Sequence, residues 1–360
     1  MNSKRILLLL FLLVVFVIVA RITRSPERPW SREGVSLVSG SPVDYTTFED
    51  TVMATTIRVT LPEGPEASAA AATVFDIFRQ VDARMSEWKD SSPLAAVNRA
   101  AGIAPVAVPE DLRRVIQRGI EIGDSTGGAF DLTWAALWGL WDFKSREPRV
   151  PADEAIASRV GMVDYRRVIV DDAAGTVFLE KTGMKIGLGG IAKGYALDRA
   201  ATALRARGLT SFMILGGGQV WAEGSRRGKP WRVGIRDPRG PSDDFFAALP
   251  VEDVSLSTSG DYESYFIVGG RRYHHILDPA TGRPARGLRS ATVVSADATL
   301  ADALSTAFMV LGVEKSLAVA RNFGGVEAVL VDRNGGVHLT PGLEGRLLVR
   351  HPPRDPEGER

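Results

Sequence analysis

The chain has 360 residues, with 44 Lys and Arg, 43 Asp and Glu and 45% hydrophobic residues. This is ordinary globular composition, enough for one large mixed domain or two smaller ones. A net charge of +1 gives no reason to expect nucleic acid, and the lack of cysteine excludes disulfides, thiolate metal sites, Cys nucleophiles and a lipidated N-terminal Cys.

Residues 1–24 read as an N-terminal membrane anchor or signal segment. Lys4 and Arg5 precede an uncharged run from Ile6 to Ala20, and Arg21 and Arg24 follow it. Such a run spans about 22 Å as a helix, against a hydrocarbon core of roughly 30 Å. Counting through Ile22, with Arg21 snorkelling, brings it close. Ile18-Val19-Ala20 is a poor match to a signal-peptidase site, so an uncleaved anchor is favoured over a cleaved signal peptide. The expectation is a single N-terminal anchor in a bacterial inner membrane, with the body of the chain facing the periplasm. Residues 25–43, with Pro26, Pro29, Gly34, Gly40 and Pro42, read as a linker.

A folded domain is expected over 44–348. Thr47 to Leu61 reads as a strand centred on Thr56–Thr60. Ala67 to Trp88 reads as a helix with Val74, Phe75, Phe78 and Val81 on one face. Pro109 to Thr126 reads as another, with Leu112, Val115, Ile116 and Ile120 inward and Gly127-Gly128 ending it. Trp134, Trp138 and Trp141 recur at helical spacing and read as core. Arg167–Asp171 and Thr176–Glu180 flank Ala174-Gly175 as a hairpin.

At Met184 to Asp198 an apolar run breaks into glycines and resumes as a helix reaching Gly208. Glycines at a strand-to-helix turn let backbone amides approach a phosphate, and Lys193 places a cation in the first helical turn. A close-packed turn feeding an amphipathic helix explains the same pattern. Strands follow at Ser211–Leu215, Val220–Glu223 and Trp231–Arg236. Glu263–Val268 and Arg272–Ile276 form a hairpin around Gly269-Gly270. A strand at Ser290–Ser295, helices at Thr299–Leu311 and Val313–Asn322, and a hairpin at Val326–Thr340 complete the domain. Residues 349–360 read as a disordered tail. Helices and mostly antiparallel strands mix without βαβ alternation, so the fold class is α+β.

Asp302 and Thr306 lie four apart, on one face of the Thr299 helix, and offer the oxygen ligands that Mg²⁺ requires. Thr299 and Asp302 equally fit a capping box. His274 and His275 end a strand and point to opposite faces, so one of them can serve a given site as general base.

In order along the chain, these pieces resemble the ApbE family, the FAD:protein FMN transferases. The resemblance runs from about Met53 to Leu311. It rests on Met53-Ala-Thr55, Ser86-Glu87-Trp88 with Asn98, Gly128-Ala-Phe-Asp-Leu-Thr133 and Gly189-Gly-Ile-Ala-Lys-Gly-Tyr195 with Asp198. It continues through Gly216-Gly217, Trp231–Pro238, Thr258–Glu263, His275-Ile-Leu-Asp-Pro-Ala-Thr-Gly282 and Ala301-Asp-Ala-Leu-Ser-Thr306.

The resemblance implies an ApbE-like, T-fold-type domain. It implies Mg²⁺-dependent transfer of FMN from FAD to a threonine of an acceptor protein with an FMN-binding domain, such as a redox-complex subunit, with release of AMP. Carried over by position, the metal is held by the Gly190 carbonyl, Asp302 and Thr306, and His275 is the catalytic base. Flavin and adenylate contacts fall at Met53, Trp88, Ala129, Phe130, Asp131, Gly187, Lys193 and Ile276. Two stretches depart from the family pattern: Gly187 stands where an acid is usual, and Ile214-Leu-Gly-Gly-Gly218 stands where Asn-Leu-Gly-Gly-Asn is usual, with Gln219 next, so that two polar contacts are missing or displaced. These departures leave two alternatives, an Mg²⁺-dependent FAD pyrophosphatase and a non-catalytic flavin-binding assembly factor.

Overall fold

The computed structural model describes residues 43–355. The anchor expected at 1–24 and nearly all of the linker lie outside the described residues.

An eight-stranded sheet organises the domain, and all its neighbours pair antiparallel. Its strands are β1 (Tyr45–Val52), β2 (Thr55–Pro62), β3 (Phe212–Gly216), β4 (Gln219–Glu223), β5 (Val254–Gly260), β6 (Leu288–Ser295), β7 (Glu327–Asp332) and β8 (Val337–Leu339). Their spatial order is their chain order, so the sheet is a meander with long insertions between β2 and β3, β4 and β5, β5 and β6, and β6 and β7.

Period-two alternation divides the core into two layers. Ile214, Trp221, Ala291, Val293, Ala328 and Leu330 face a helical layer. That layer includes α1 (Ala67–Met85), α2 (Pro93–Arg99), α3 (Glu110–Ser125), α5 (Ala192–Ala206) and α6 (Ala298–Asn322), whereas Ile156 of α4 (Asp153–Val160) packs in a separate small cluster with Trp141 and Phe266. Of these, α1, α5 and α6 pack on the sheet itself. The alternate residues Val220, Ala222, Leu256, Val294, Val329 and Val331 pack on Trp231, Ile235, Phe246 and Leu249 of a second, four-stranded sheet. Both faces of β6 are therefore covered, and all eight of its residues are buried.

Helix α6 breaks at Gly312, whose φ of 72° and ψ of −175° are not helical. That matches the two helices expected there. Among the described residues α6 is the one helix long and apolar enough to cross a membrane, but it packs on β5, β6 and α5 as a core helix.

Several expectations change. The strand expected over Thr47–Leu61 is the β1–β2 hairpin, closed by Met53 and Ala54 at φ 54° and 57°. This is a two-residue turn with both residues left-handed, a conformation that usually calls for Asn-Gly, so the sequence carried no turn signal. Helix α1 stops at Met85, where Ser86 turns extended, and does not reach Trp88. The tryptophan stripe is not helical core. Only Ala135–Leu137 forms a short 3-10 turn, Trp141 is buried, and Trp138 is 44% exposed. The tail is ordered further than expected: Leu348–Val349 pairs with the strand Phe245–Val251, and Asp355 forms an ion pair with Arg289. Strand β5 and helices α2 and α4 were not anticipated.

Candidate active site

The turn into α5, the β3–β4 hairpin tip, the end of β5, the loop after Arg271–His274 and the first turns of α6 meet around a cavity of about 350 Å³. That is the size range of small-molecule sites. Trp88, Ala129, Phe130, Asp131, Gly190, Lys193, His275, Ile276, Asp302 and Thr306, all marked by the sequence, line it. Met53 lines a neighbouring cavity of about 330 Å³ that shares Glu87, Trp88, Gly189 and Lys193 with the first.

Gly187 lines neither cavity. It is buried, and its carbonyl accepts a hydrogen bond from Trp134 Nε1 at 3.0 Å. A Cβ there would stand 3.0 Å from the Trp134 ring and from the Ala135 Cβ. The indole thus occupies the space that an acidic side chain would need. Gly218, at φ 87°, sits with Gly217 in the two-residue β3–β4 turn, where glycine is conformationally the easiest choice.

The polar corner is built on regular elements. Asp302 is 1% exposed, and its carboxylate accepts from Gly194 N on α5 and from Gln219 Nε2 on β4, both at 2.9 Å. Gly194 must lack a side chain, because a Cβ would lie 2.1 Å from the Ala298 carbonyl oxygen. That close approach of α5 to α6 lets the amide reach the carboxylate. Asp302 is therefore not the capping-box acid. The N-cap of α6 is Asp297, which accepts from Leu300 N. Asp198 holds the same helix end, accepting from Ala298 N and Thr299 N at 2.8 Å, and burial pushes its carboxyl up to about 6.

Thr306 lies one turn beyond Asp302, with Oγ1 3.3 Å from Ser259 Oγ. A Cβ at Gly190 would be 3.2 Å from Thr306 Oγ1, so the Gly190 backbone lies against the threonine. Gln219, which follows the Gly218 departure in sequence, was not marked as a site residue. It is 4% exposed, lines the cavity, and its Oε1 has no partner among the described residues. A carboxylate, a hydroxyl, a backbone carbonyl and an orphaned amide oxygen form an all-oxygen set, which fits a hard divalent cation such as Mg²⁺.

A second group, Asp237, Asp244 and His351, also brings possible ligand atoms together. Arg354 already occupies it, with Nη2 2.5 Å from Asp244 and its backbone N–H donating to Asp237. A cationic side chain there offsets the negative charge that a metal would use.

His274 and His275 point to opposite faces, as expected. His274 is buried against the Ala285 carbonyl, whereas His275 opens into the cavity. Solvent reaches the His275 ring from the cavity, but protein crowds its other sides. Desolvation, then the neighbouring His274, hold its pKa down to about 4, with a smaller push from Lys193. Its imidazole is therefore neutral at pH 7, able to accept a proton.

The remaining wall is aromatic. Trp134 lines the cavity, and Trp88, 56% exposed, meets Trp138 edge-on at its rim. Asp131 holds this wall rather than a ligand, accepting from Thr133 N, Thr133 Oγ1 and Tyr165 N. Burial raises its pKa. Glu87, quoted in a family motif but given no site role from sequence, lines both cavities beside Lys193, and burial raises its pKa against the lowering influence of that lysine. Lys193 Nζ donates to the Gly189 carbonyl at 2.8 Å.

The model of the ApbE family matches residues 53–330. The chain is 36% identical to an FAD:protein FMN transferase of Treponema pallidum, covering 79% of this chain and 83% of that protein. It is 33% identical to one from Salmonella typhimurium, covering 77% and 81%. The ApbE protein of Thermotoga maritima superposes with a TM-score of 0.76 at 34% identity, covering 87% of this chain and all of that one. Flavin transferase ApbE from Vibrio cholerae gives 0.75 at 25% identity, covering 85% and all of that chain. A family match over most of the described residues, relatives of this identity and coverage, and the same antiparallel mixed fold give one conclusion: the chain belongs to the ApbE family.

Proposed function

We infer that this chain, an FAD:protein FMN transferase, lays FAD along its two adjoining cavities and passes the FMN moiety to a threonine hydroxyl of an acceptor flavoprotein. The acceptor Oγ attacks the phosphorus on the flavin side of the diphosphate. The P–O bond to the adenylate breaks, AMP leaves with the bridging oxygen, and the threonine proton passes to His275. Such phosphoryl transfer calls mainly for positioning and charge neutralisation.

The single observation that carries this reading is that His275 and the oxygen set of Gly190, Asp302, Thr306 and Gln219 line the same cavity. When bound there, Mg²⁺ would neutralise charge on the diphosphate. The chain's own groups do the rest. The α5 N-terminus and Lys193 offer positive potential to the phosphates. Trp88 and Trp134 offer flat faces for a ring system. His275 starts neutral, and the approach of a diphosphate raises its proton affinity when a proton must be taken up.

The test uses the full chain with FAD, Mg²⁺ and an acceptor domain, and weighs the acceptor intact. A gain of one FMN, abolished by chelation and by Asp302→Ala, is the expected result. Release of free FMN and AMP without acceptor gain would instead indicate a pyrophosphatase. FAD bound but unchanged would indicate a binding factor.

The same reading includes an N-terminal anchor with the catalytic domain on the periplasmic side of a bacterial inner membrane, and an acceptor that is a subunit of a membrane redox complex. The uncharged run Ile6–Ala20 between basic flanks supports the anchor. Protease digestion of the domain in spheroplasts without lysis is expected; protection until lysis would place it in the cytoplasm.

A further inference from the structure

Helices α5 and α6 each supply the cap that the other's N-terminus needs. The first four amides of an α-helix have no acceptor within the helix. On α6 all four have side-chain acceptors. Asp297 N donates to Ser295 Oγ at 3.1 Å, and Leu300 N donates to the Asp297 carboxylate at 2.8 Å. Between them, Ala298 N and Thr299 N donate to the two oxygens of Asp198, each at 2.8 Å, and Thr299 Oγ1 adds a third bond to the same carboxylate. Asp198 stands on α5. That helix begins without a cap of its own, because its N-cap residue is Ile191 and no side chain there accepts. Gly194, the third residue of α5, donates its N–H instead to Asp302 Oδ2 at 2.9 Å, and Asp302 stands on α6. The two helices have exchanged N-caps.

The two aspartates face different spaces. Asp302 lines the active-site cavity. Asp198 lines neither that cavity nor its neighbour, and faces a groove beside Tyr195, Thr202 and Thr299. Asp198 therefore acts on the oxygen set only through the backbone of α6. Asp302 and Thr306 lie one and two turns beyond the Ala298 amide that it holds. Gly190 belongs to the turn into α5. The set thus draws its oxygens from both sides of the α5–α6 contact, and the grip of Asp198 fixes that spacing. Mg²⁺ requires near-ideal octahedral geometry at about 2.0–2.1 Å, whereas Ca²⁺ accepts longer and less regular contacts.

We propose that Asp198 is a positioning residue for the metal corner: by holding the α6 N-terminus against α5, it keeps the oxygen set at the spacing that favours Mg²⁺ over Ca²⁺. This rests on the reading of the Gly190, Asp302, Thr306 and Gln219 oxygens as a metal site. Loosening the grip should cost the small ion more than the large one, which loss of stability alone would not do.

The experiment is calorimetric titration of the full chain with MgCl₂, and separately with CaCl₂, without FAD at pH 7.5. Burial pushes the Asp198 carboxyl up to about 6, so it is ionised at that pH. The wild type is expected to bind Mg²⁺ more tightly than Ca²⁺. Asp198→Asn keeps the size but turns one acceptor into a donor facing an α6 N–H. It should weaken Mg²⁺ at least about tenfold, the usual cost of losing a support behind a metal ligand, and Ca²⁺ less than about threefold. Asp198→Glu keeps both acceptors and should fall between; it decides the matter by the same ratio if the Asn variant shows no cooperative urea transition. Thr299→Val removes the hydroxyl bond but leaves both amide bonds, so it should lower stability in urea without changing the ratio of the two affinities. Unchanged Mg²⁺ affinity in both Asp198 variants, or equal losses for the two ions, would overturn the proposal while leaving the metal reading intact. A wild type that binds neither ion would overturn the metal reading and the proposal with it.

Discussion

The polar corner of the candidate active-site cavity and its aromatic rim are built differently. Asp302, Thr306 and Gln219 stand on α6 and β4, and a network from Gly194, Ser257, Ser259 and Ser305 locks their atoms. Trp88, Trp134 and Trp138 stand on turns, and two of the three are largely exposed. The groups proposed to neutralise charge sit on the rigid scaffold, where a misplaced atom is costly. The groups proposed to cover a flat ring sit on loops, where a few tenths of an ångström cost little.

That contrast is sharpest at Asp302. Asp302→Ala should reduce transfer by at least about 1000-fold, because a ligand position at a phosphoryl-transfer site is worth several kcal/mol. It also strips acceptors from Gly194 N and Gln219 Nε2, at about 1–3 kcal/mol for each donor left buried. Acceptor mass and urea denaturation read the two effects separately. Retained transfer would move the metal elsewhere.

Next is the base. His275→Ala should lower kcat by about 100- to 10,000-fold. FAD binding, followed by flavin fluorescence, should survive. The depressed pKa adds a pH prediction. Below a pKa of about 4 the free enzyme's His275 is protonated and cannot accept the threonine proton; above it the base is available. The acid limb of kcat/KM should therefore fall near pH 4 and not near 6.5, where an ordinary histidine would put it. The sign for stability follows. The unfolded chain binds this proton below about 6.5 and the folded chain only below about 4, so stability falls as pH drops through that window.

Gln219 tests whether the corner extends beyond the residues marked by sequence. Gln219→Leu should weaken Mg²⁺ binding by about 10- to 100-fold, the usual cost of losing a supporting metal contact. A change confined to stability, with metal titration unaltered, would make Gln219 a positioning residue for Asp302 alone. The smallest effect is expected at the rim. Trp138→Ala removes an exposed edge-on contact worth about 0.5–1.5 kcal/mol. It should raise KM for FAD several-fold with kcat little changed. A large loss of kcat would mean that the rim orders the corner after all.

The two regions were also unequally legible in the sequence. Asp302 and Thr306 share a helix face by spacing alone, and His274 and His275 diverge by strand alternation alone. The glycine-to-helix turn at Gly189–Lys193 was visible because glycine and helix periodicity are local signals. The tryptophan spacing misled, because a period of three or four is also what successive tight turns produce. Gln219 showed only as a polar residue one place beyond the Asn usual at 218, since a lone glutamine after a glycine turn has no pattern of its own. Glu87 stood in a family motif without a role of its own, because Leu188, Gly189 and Lys193, the groups beside it, are about a hundred positions away.

The sequence by itself determined the element types over most of the domain, the α+β class and the family motifs, because helix and strand periods are set by neighbours along the chain. Only the tertiary structure decided that the strands of the large sheet form one antiparallel meander, that the Gly194 amide reaches Asp302, that Trp134 fills the space beside Gly187, and that the two adjacent histidines line two different cavities. These outcomes depend on which distant segments approach within hydrogen-bonding or van der Waals distance, and side-chain packing sets that approach, not local propensity.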